Sequence, residues 1–181
     1  MLLQGRKDNR LTSYDYSQIG YYFVTICTKR HVEWFEKIEN EQMILNQYGE
    51  IVKKQWLWLA EHFPYVSLDK WILMPNHLHG IVVIDSLPIV GTGRDLSLHQ
   101  LPQENGIKIK PLSDLIGAFK TTSSKMIHQQ GLGEFLWQRS FYDHIVRDES
   151  SLNKIREYIS NNPINWGIDR IHKTNFDFSF F

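Results

Sequence analysis

The first half of the chain alternates between hydrophobic patterns typical of strands and one typical of a helix. Residues 20–28 form a β-branched and aromatic run in which both parities are apolar, which predicts a strand in the middle of a sheet. Residues 48–62 place apolar side chains at helical spacing. Phe63-Pro64 predicts the end of that helix, because proline lacks a donor and disfavours helix in the residue before it. The apolar runs at 66–73 and 78–84 predict two further strands.

The second half predicts two more helices and one more strand. Residues 85–111 are punctuated by glycine and proline, and their length indicates either a functional loop or a partly disordered segment. Residues 112–130 return to helical spacing, and residues 135–146 predict another strand. We expect a last helix to begin at the capping candidates of residues 148–151 and to end at Asn162-Pro163.

This order of elements predicts an α+β fold. Strand, helix, strand, strand, helix, strand is the split β-α-β order of a ferredoxin-like antiparallel sheet, with two helices on one face and an additional C-terminal helix. We also expect a small hairpin around residues 34–36 and 43–45. We expect one domain over residues 1–181, with a polar N-terminal arm at about 1–19 and a long loop at about 85–111.

Composition narrows the class of protein. Hydrophobic residues make up 42% of the chain and charged residues 22%, which is typical of a folded globular protein. Twenty basic and twenty acidic residues argue against a nonspecific DNA coat, although a local basic groove remains compatible with that balance. The single cysteine, Cys27, cannot form an intramolecular disulfide or a cysteine-based zinc cluster. Since no apolar run is long enough to span a bilayer, we expect a cytoplasmic protein without a membrane partner.

His77 and His79 open the strand predicted after the Pro75-Asn76 turn. Successive strand side chains point to opposite faces and each residue advances about 3.3 Å, so the two imidazoles would share one face. They could then converge on one cation, while Leu78 packs into the core and the histidines stay outside it. Two ordinary strand histidines are the alternative interpretation.

Tyr158 and Asn162 are the partners that the last helix offers to these histidines. They are four residues apart and therefore project from the same side of the helix. A tyrosine has an unperturbed pKa of about 10, so as a nucleophile it needs a cation or base nearby. A divalent ion on the histidines could polarise a phosphodiester, with Asn162 as a third ligand. A tyrosine at the rim and an ordinary helix-terminal asparagine are the alternatives.

Four segments together resemble the motifs of a known family. They are Tyr21 with Phe23, Val24 and Thr25; Met74-Pro75-Asn76-His77-Leu78-His79-Gly80; Trp137-Gln138-Arg139 with Tyr142-Asp143-His144; and Tyr158-Ile159-Ser160-Asn161-Asn162-Pro163. Each segment is weak alone, but their order and spacing over about residues 14–169 resemble the REP-associated tyrosine transposases. These are single-tyrosine members of the His-hydrophobe-His nuclease superfamily.

The resemblance implies a ferredoxin-like fold in which His77 and His79 bind Mg²⁺ or Mn²⁺. It further implies that Tyr158 attacks DNA and that Asn162 completes the metal site. The product would be a covalent 5′-phosphotyrosine, and the substrate single-stranded DNA near a hairpin. The protein would be nucleoid-associated when bound to DNA. Relatives include both monomers and homodimers, so the oligomeric state stays open.

A wider set of basic and aromatic residues is expected to contact DNA. They are Arg6, Lys7, Arg10, Lys120, Arg139, Tyr142, His144 and Arg147. Solvated or structural roles are open alternatives for several of them, and His144 could equally be a metal neighbour or a buried polar residue.

Two other functions remain open. One is a small metal-dependent hydrolase that uses the His-x-His pair without a covalent tyrosine, and such sites usually recruit a further histidine or carboxylate. The other is a catalytically silent domain that only binds hairpin DNA.

Overall fold

A computed structural model of the chain describes residues 14–86 and 108–169. The strands are β1 (Gly20–Cys27), β2 (Glu36–Glu39), β3 (Gln42–Leu45), β4 (Val66–Met74), β5 (His77–Ile84) and β6 (Tyr142–Val146). The helices are α1 (Gln47–His62), α2 (Leu112–Gln129) and α3 (Glu149–Asp169), and Lys29–His31 forms a short 3-10 turn.

The main sheet has four strands in the order β4-β5-β1-β6, and each neighbouring pair is antiparallel. This is the predicted ferredoxin-like sheet. β1 lies between β5 and β6 with both edges paired, so it is a central strand as predicted, and its two faces contribute to two different apolar clusters. The predicted α+β fold is therefore confirmed.

The predicted small hairpin is also present, as β2 and β3. Its two connecting residues, Asn40 and Glu41, have φ angles of 49° and 62°. Positive φ at both central residues is typical of the two-residue turns that match the twist of a hairpin.

The first two helices cover one face of the sheet and form the larger core. Trp56 of α1 and Phe119 of α2 are fully buried and meet edge to face, with ring centroids 5.3 Å apart. Leu78 and Val82 of β5 point into the same cluster. Leu78 therefore packs into the core as the sequence predicts.

The third helix covers the opposite face. Its first turn is capped by Asp148, whose Oδ1 accepts a hydrogen bond of 2.8 Å from the Ser151 backbone N–H. Its buried side chains complete a second apolar cluster with the sheet: Phe23, Ile81, Val146, Leu152, Ile155 and Ile159. Each large aliphatic side chain buried in this way contributes about 1.5–3 kcal/mol, so this cluster fixes α3 on its own chain's sheet.

Three sequence-based expectations were wrong. α3 does not end at Asn162-Pro163 but continues to Asp169, with Pro163 inside it. Pro163 has no backbone N–H and therefore removes one hydrogen bond of the helix, while the helical backbone continues on both sides of it. The strand expected at 135–146 is confined to Tyr142–Val146, and only an isolated bridge joins Trp137 to Thr28. The two histidines are not outside the core, because α3 covers their face of the sheet.

Several predicted features lie outside the described residues. These are most of the N-terminal arm at 1–19 and most of the loop at 85–111. Within the described ranges, no helix combines the length and the apolar content needed to cross a membrane.

Candidate active site between the sheet and the C-terminal helix

His77 and His79 stand side by side on the face of the sheet that α3 covers. The register places Cys27 opposite His77 and Thr25 opposite His79. The two imidazole ring centroids are 4.4 Å apart. His77 is 4% exposed and His79 is fully buried. The strand period therefore brings two imidazoles together in a site from which bulk water is largely excluded.

Tyr158 reaches the histidines from α3. Its hydroxyl lies 3.3 Å from Nε2 of His79, and its ring meets the edge of Phe23 at a centroid distance of 6.2 Å. The apolar cluster beside it holds the ring, while the hydroxyl points at the histidine pair. Tyr158 is thus not a tyrosine with a solvent-facing hydroxyl.

Asn162 follows one turn after Tyr158 and is 2% exposed. Its amide approaches His77 closely enough to raise the pKa of that imidazole. The amide oxygen makes no hydrogen bond of regular geometry within the described ranges. A buried acceptor of this kind beside two imidazoles fits a cation ligand.

Burial keeps both imidazoles neutral. Burial lowers the pKa of His77 to about 3, with a smaller contribution from the nearby His31. Burial lowers the pKa of His79 as well, and the His77 imidazole adds to that effect. Neutral imidazole is the form that binds a metal ion.

The donor set is short but chemically consistent with a hard divalent cation. In the described part of the chain, no group of three histidine, cysteine or acidic side chains is placed to hold a metal. The protein therefore offers two imidazole nitrogens and one amide oxygen. The amide oxygen, substrate oxygens and water would supply the oxygen ligands that Mg²⁺ and Mn²⁺ prefer, and the imidazole nitrogens are ligands that transition-metal ions also accept.

An ion pair fixes α3 to the edge strand near the site. Arg156, two residues before Tyr158, donates from Nε and Nη2 to the Asp69 carboxylate of β4, at 3.0 and 2.6 Å. These bonds hold the pKa of Asp69 below its usual range. A two-pronged contact of this kind constrains the orientation of the helix that carries Tyr158.

Three residues near the site were not assigned a role from the sequence. The Thr25 hydroxyl lies 2.8 Å from Nδ1 of His79, and Oδ1 of Asn76 lies 2.7 Å from Nδ1 of His77. The Trp166 ring lies 5.9 Å from the His77 ring and is only half-buried. Its spacing of eight residues from Tyr158 would have placed it on the same helix side, but the helix was expected to end before it.

Tyr142 and His144 lie on the same sheet face, in β6. Tyr142 pairs with Thr25 and His144 with Phe23, so Tyr142 stands two strands from His79, about 10 Å between the backbones. Their predicted contacts with DNA stay predictions, but the face on which they lie is that of the histidine pair.

The other predicted DNA contacts have mixed surroundings. Burial, and then the neighbouring Arg147, lower the pKa of His144, while Arg139 and Arg147 are exposed. Lys120 lies on the opposite side of the sheet, where its ammonium donates to the backbone carbonyls of Gln138 and Arg139. Three further basic residues lie outside the described ranges: Arg6, Lys7 and Arg10.

The chain is similar to several known proteins. The family model for IS200-like transposases matches residues 107–162, which include Tyr158 and Asn162. An uncharacterized protein of Haemophilus influenzae is 37% identical over 174 residues, covering 92% of this chain and 93% of that protein. A second Haemophilus influenzae protein, described as a REP-associated tyrosine transposase, is 24% identical over 164 residues, covering 88% of this chain and 78% of that protein.

A solved structure has the same fold. It is that of a REP-associated tyrosine transposase bound to a REP hairpin, and it aligns with a TM-score of 0.58 and 16% sequence identity. The alignment covers 90% of this chain and 75% of the other. The match over residues 107–162, the related sequence and the shared fold agree with the motifs of the sequence, and the predicted resemblance to the REP-associated tyrosine transposases is therefore confirmed.

Proposed function

We propose that this protein cleaves and rejoins single-stranded DNA beside a hairpin, through a covalent bond between Tyr158 and a 5′ phosphate. The observation that carries the proposal is the placement of the Tyr158 hydroxyl 3.3 Å from His79 Nε2, with Asn162 one turn later beside His77. A nucleophile and three potential ligands thus converge from one strand and one helix of the same chain.

In the proposed step, the Tyr158 oxygen attacks the scissile phosphorus and gives its proton to solvent. The bond from phosphorus to the 3′ oxygen breaks, and that oxygen takes a proton from solvent and leaves as a 3′-hydroxyl. His77, His79 and Asn162 would hold Mg²⁺ or Mn²⁺, which would polarise the phosphodiester and stabilise the negative charge that develops on it. The phosphotyrosine linkage is itself a phosphodiester, so no bond energy is lost to hydrolysis. Attack by another 3′-hydroxyl can therefore reverse the step and join a new strand.

Hairpin DNA is proposed as the substrate because the structural relative is bound to a REP hairpin. The buried histidines and the apolar packing around Tyr158 support the reaction, since a site shielded from water strengthens electrostatic interactions with a phosphate. The hydrolase alternative is weaker, since in the described ranges no further histidine, cysteine or carboxylate joins the pair as a metal ligand.

The covalent adduct is the direct test of the proposal. Wild-type protein is incubated with labelled single-stranded hairpins from its own genomic flank plus Mn²⁺, and the products are separated in SDS. We expect a protein–DNA adduct whose peptide mass maps to Tyr158, and none with Tyr158→Phe, which keeps the ring packed on Phe23. Tyr142→Phe is the matched tyrosine control and should still form the adduct.

An adduct at Tyr142, or undiminished cleavage by Tyr158→Phe, would refute the assignment of the nucleophile. Full activity in EDTA would remove the cation from the reaction. Tight hairpin binding without any adduct, under all divalent ions tried, would instead favour the catalytically silent DNA-binding domain.

A further inference from the structure

The turn between β4 and β5 is held firmly by its backbone. The Asn76 carbonyl accepts a hydrogen bond of 2.8 Å from the Thr28 N–H, and the Pro75 carbonyl accepts from the N–H groups of Trp34 and Phe35 at 2.9 and 3.1 Å. Three contacts from another part of the chain fix this two-residue turn. The Asn76 side chain therefore starts from a well-defined position directly before the first histidine.

The Asn76 side chain bridges two groups. Its Oδ1 lies 2.7 Å from Nδ1 of His77, and its Nδ2 donates to the His31 carbonyl at 3.1 Å. The His31 carbonyl determines the orientation of the Asn76 amide, because the flipped amide would place its oxygen against the carbonyl oxygen of His31. The oxygen of Asn76 therefore faces His77.

This contact selects one tautomer of His77. An amide oxygen only accepts, so Nδ1 of His77 must carry the proton, and in a neutral imidazole the lone pair then lies on Nε2. The Thr25 hydroxyl at Nδ1 of His79 is less selective, since a hydroxyl both donates and accepts. Asn76 is thus the more specific of the two supports.

We infer that Asn76 is a positioning residue that fixes the ring orientation and tautomer of His77, so that Nε2 of His77 is directed to a divalent cation. This inference rests on the proposed function, in which the histidine pair holds that cation. Groups that bond the second nitrogen of a metal-binding histidine orient the ring and raise its basicity.

The segment that supports Asn76 adopts an unfavourable backbone conformation. Arg30 and His31 have φ angles of 59° and 55°, which lie in the left-handed region that non-glycine residues rarely adopt. A bond from the Thr28 hydroxyl to the Val32 carbonyl, at 2.7 Å, closes this turn. This backbone conformation directs the His31 carbonyl at Asn76. The strained turn thus provides the acceptor that orients the Asn76 side chain.

The test measures tautomer and metal affinity, not turnover alone. Full-length protein labelled with ¹⁵N-histidine, free of metal, should show His77 protonated at Nδ1 and bare at Nε2. Mn²⁺ binding is then measured by calorimetry for wild type, Asn76→Ala and Asn76→Asp. We expect Asn76→Ala to weaken Mn²⁺ binding by about 10- to 100-fold. Asn76→Asp loses the donor to the His31 carbonyl but keeps an acceptor for Nδ1, so His77 should stay protonated at Nδ1 in this variant.

A destabilised variant away from the turn is the control. Ile116 of α2 is fully buried in the larger core, which packs on the face of the sheet opposite the histidines. Ile116→Val should lower the free energy of unfolding while Mn²⁺ affinity stays at the wild-type level. Loss of affinity through general loosening of the fold would appear in both variants.

The outcomes separate this inference from the proposed function. Wild-type His77 protonated at Nε2 would overturn the inference, and that measurement needs no variant to fold. Unchanged Mn²⁺ affinity in Asn76→Ala, or an Asn76→Asp protein in which His77 is protonated at Nε2, would overturn it as well. A wild-type protein that binds no Mn²⁺ and forms no adduct would instead refute the proposed function, while the tautomer of His77 still reports whether Asn76 orients it.

Discussion

Replacing Gly80 by alanine should destabilise the protein, although alanine is the better residue in most strands. Gly80 directly follows the histidine pair, and a Cβ built there would lie 2.5 Å from Cζ2 of Trp56 and 3.2 Å from Cβ of Trp71. Trp56 is fully buried between the sheet and α2, so its indole has little room to move.

The expected cost follows from two opposing effects. Overpacking in a well-packed core costs about 1–3 kcal/mol. Alanine also reduces the conformational entropy of the unfolded chain, which stabilises the folded state by about 0.4–1 kcal/mol. The balance is a loss of roughly 1–2 kcal/mol in the free energy of unfolding, or a melting temperature lower by about 2–8 °C for a chain of this length. Urea denaturation of metal-free protein measures it.

A matched glycine and a second substitution test the reasoning. Gly117 lies exposed in α2 with nothing within 4 Å of its built Cβ, so Gly117→Ala should stabilise the protein by up to about 1 kcal/mol. Trp56→Phe removes the clashing ring and a buried indole N–H that makes no hydrogen bond within the described residues. Gly80→Ala should cost less in that background. Equal costs in both backgrounds, or a Gly80→Ala protein as stable as Gly117→Ala, would refute the steric explanation.

Three further predictions concern the site and the core. Asn162→Ala keeps the nucleophile and should reduce cleavage by about 10- to 100-fold, with a steeper dependence on Mn²⁺ concentration in adduct assays. An unchanged dependence on Mn²⁺ would exclude Asn162 as a metal ligand. In EDTA, the free energy of unfolding should fall as the pH drops from about 6.5 towards 3, because the unfolded chain protonates histidines that the fold keeps neutral. Urea titrations of His77→Gln should show a weaker dependence on pH. An unaltered pH dependence would contradict a neutral, buried His77. The buried Trp137 indole N–H donates to the Ser123 hydroxyl at 3.0 Å. Ser123→Ala removes this acceptor and should lower the free energy of unfolding by about 1–3 kcal/mol. Calorimetry that shows no change in stability would contradict this.

The periodicities of the sequence were enough to predict the architecture. A run apolar on both parities identified β1 as a central strand, and helical spacing identified α1 and α2 within a residue or two of their ends. The alternation at His77-Leu78-His79 predicted that both imidazoles share one face, because strand geometry alone sets that relation. Spacing of four residues likewise put Tyr158 and Asn162 on one side of a helix.

Helix and strand ends were less predictable, because tertiary contacts override local preferences there. Pro163 was expected to stop α3, yet the helix continues to Asp169 and brings Trp166 beside His77. A missing backbone donor costs one hydrogen bond, and packing of the helix on the sheet can outweigh that cost. The opposite error occurred at residues 135–141, where strand-forming residues lie outside any strand.

The sequence by itself determined the elements, their order and the faces on which the candidate catalytic residues lie. Only the tertiary structure decided which groups meet across those faces. That α3 buries the histidines, that the Tyr158 hydroxyl faces His79, and that Asn76 bonds His77 through a turn held by Thr28 all depend on contacts between segments far apart in the chain. Periodicity reports only which way a side chain points relative to its own strand or helix, and carries no information about the element that packs against it.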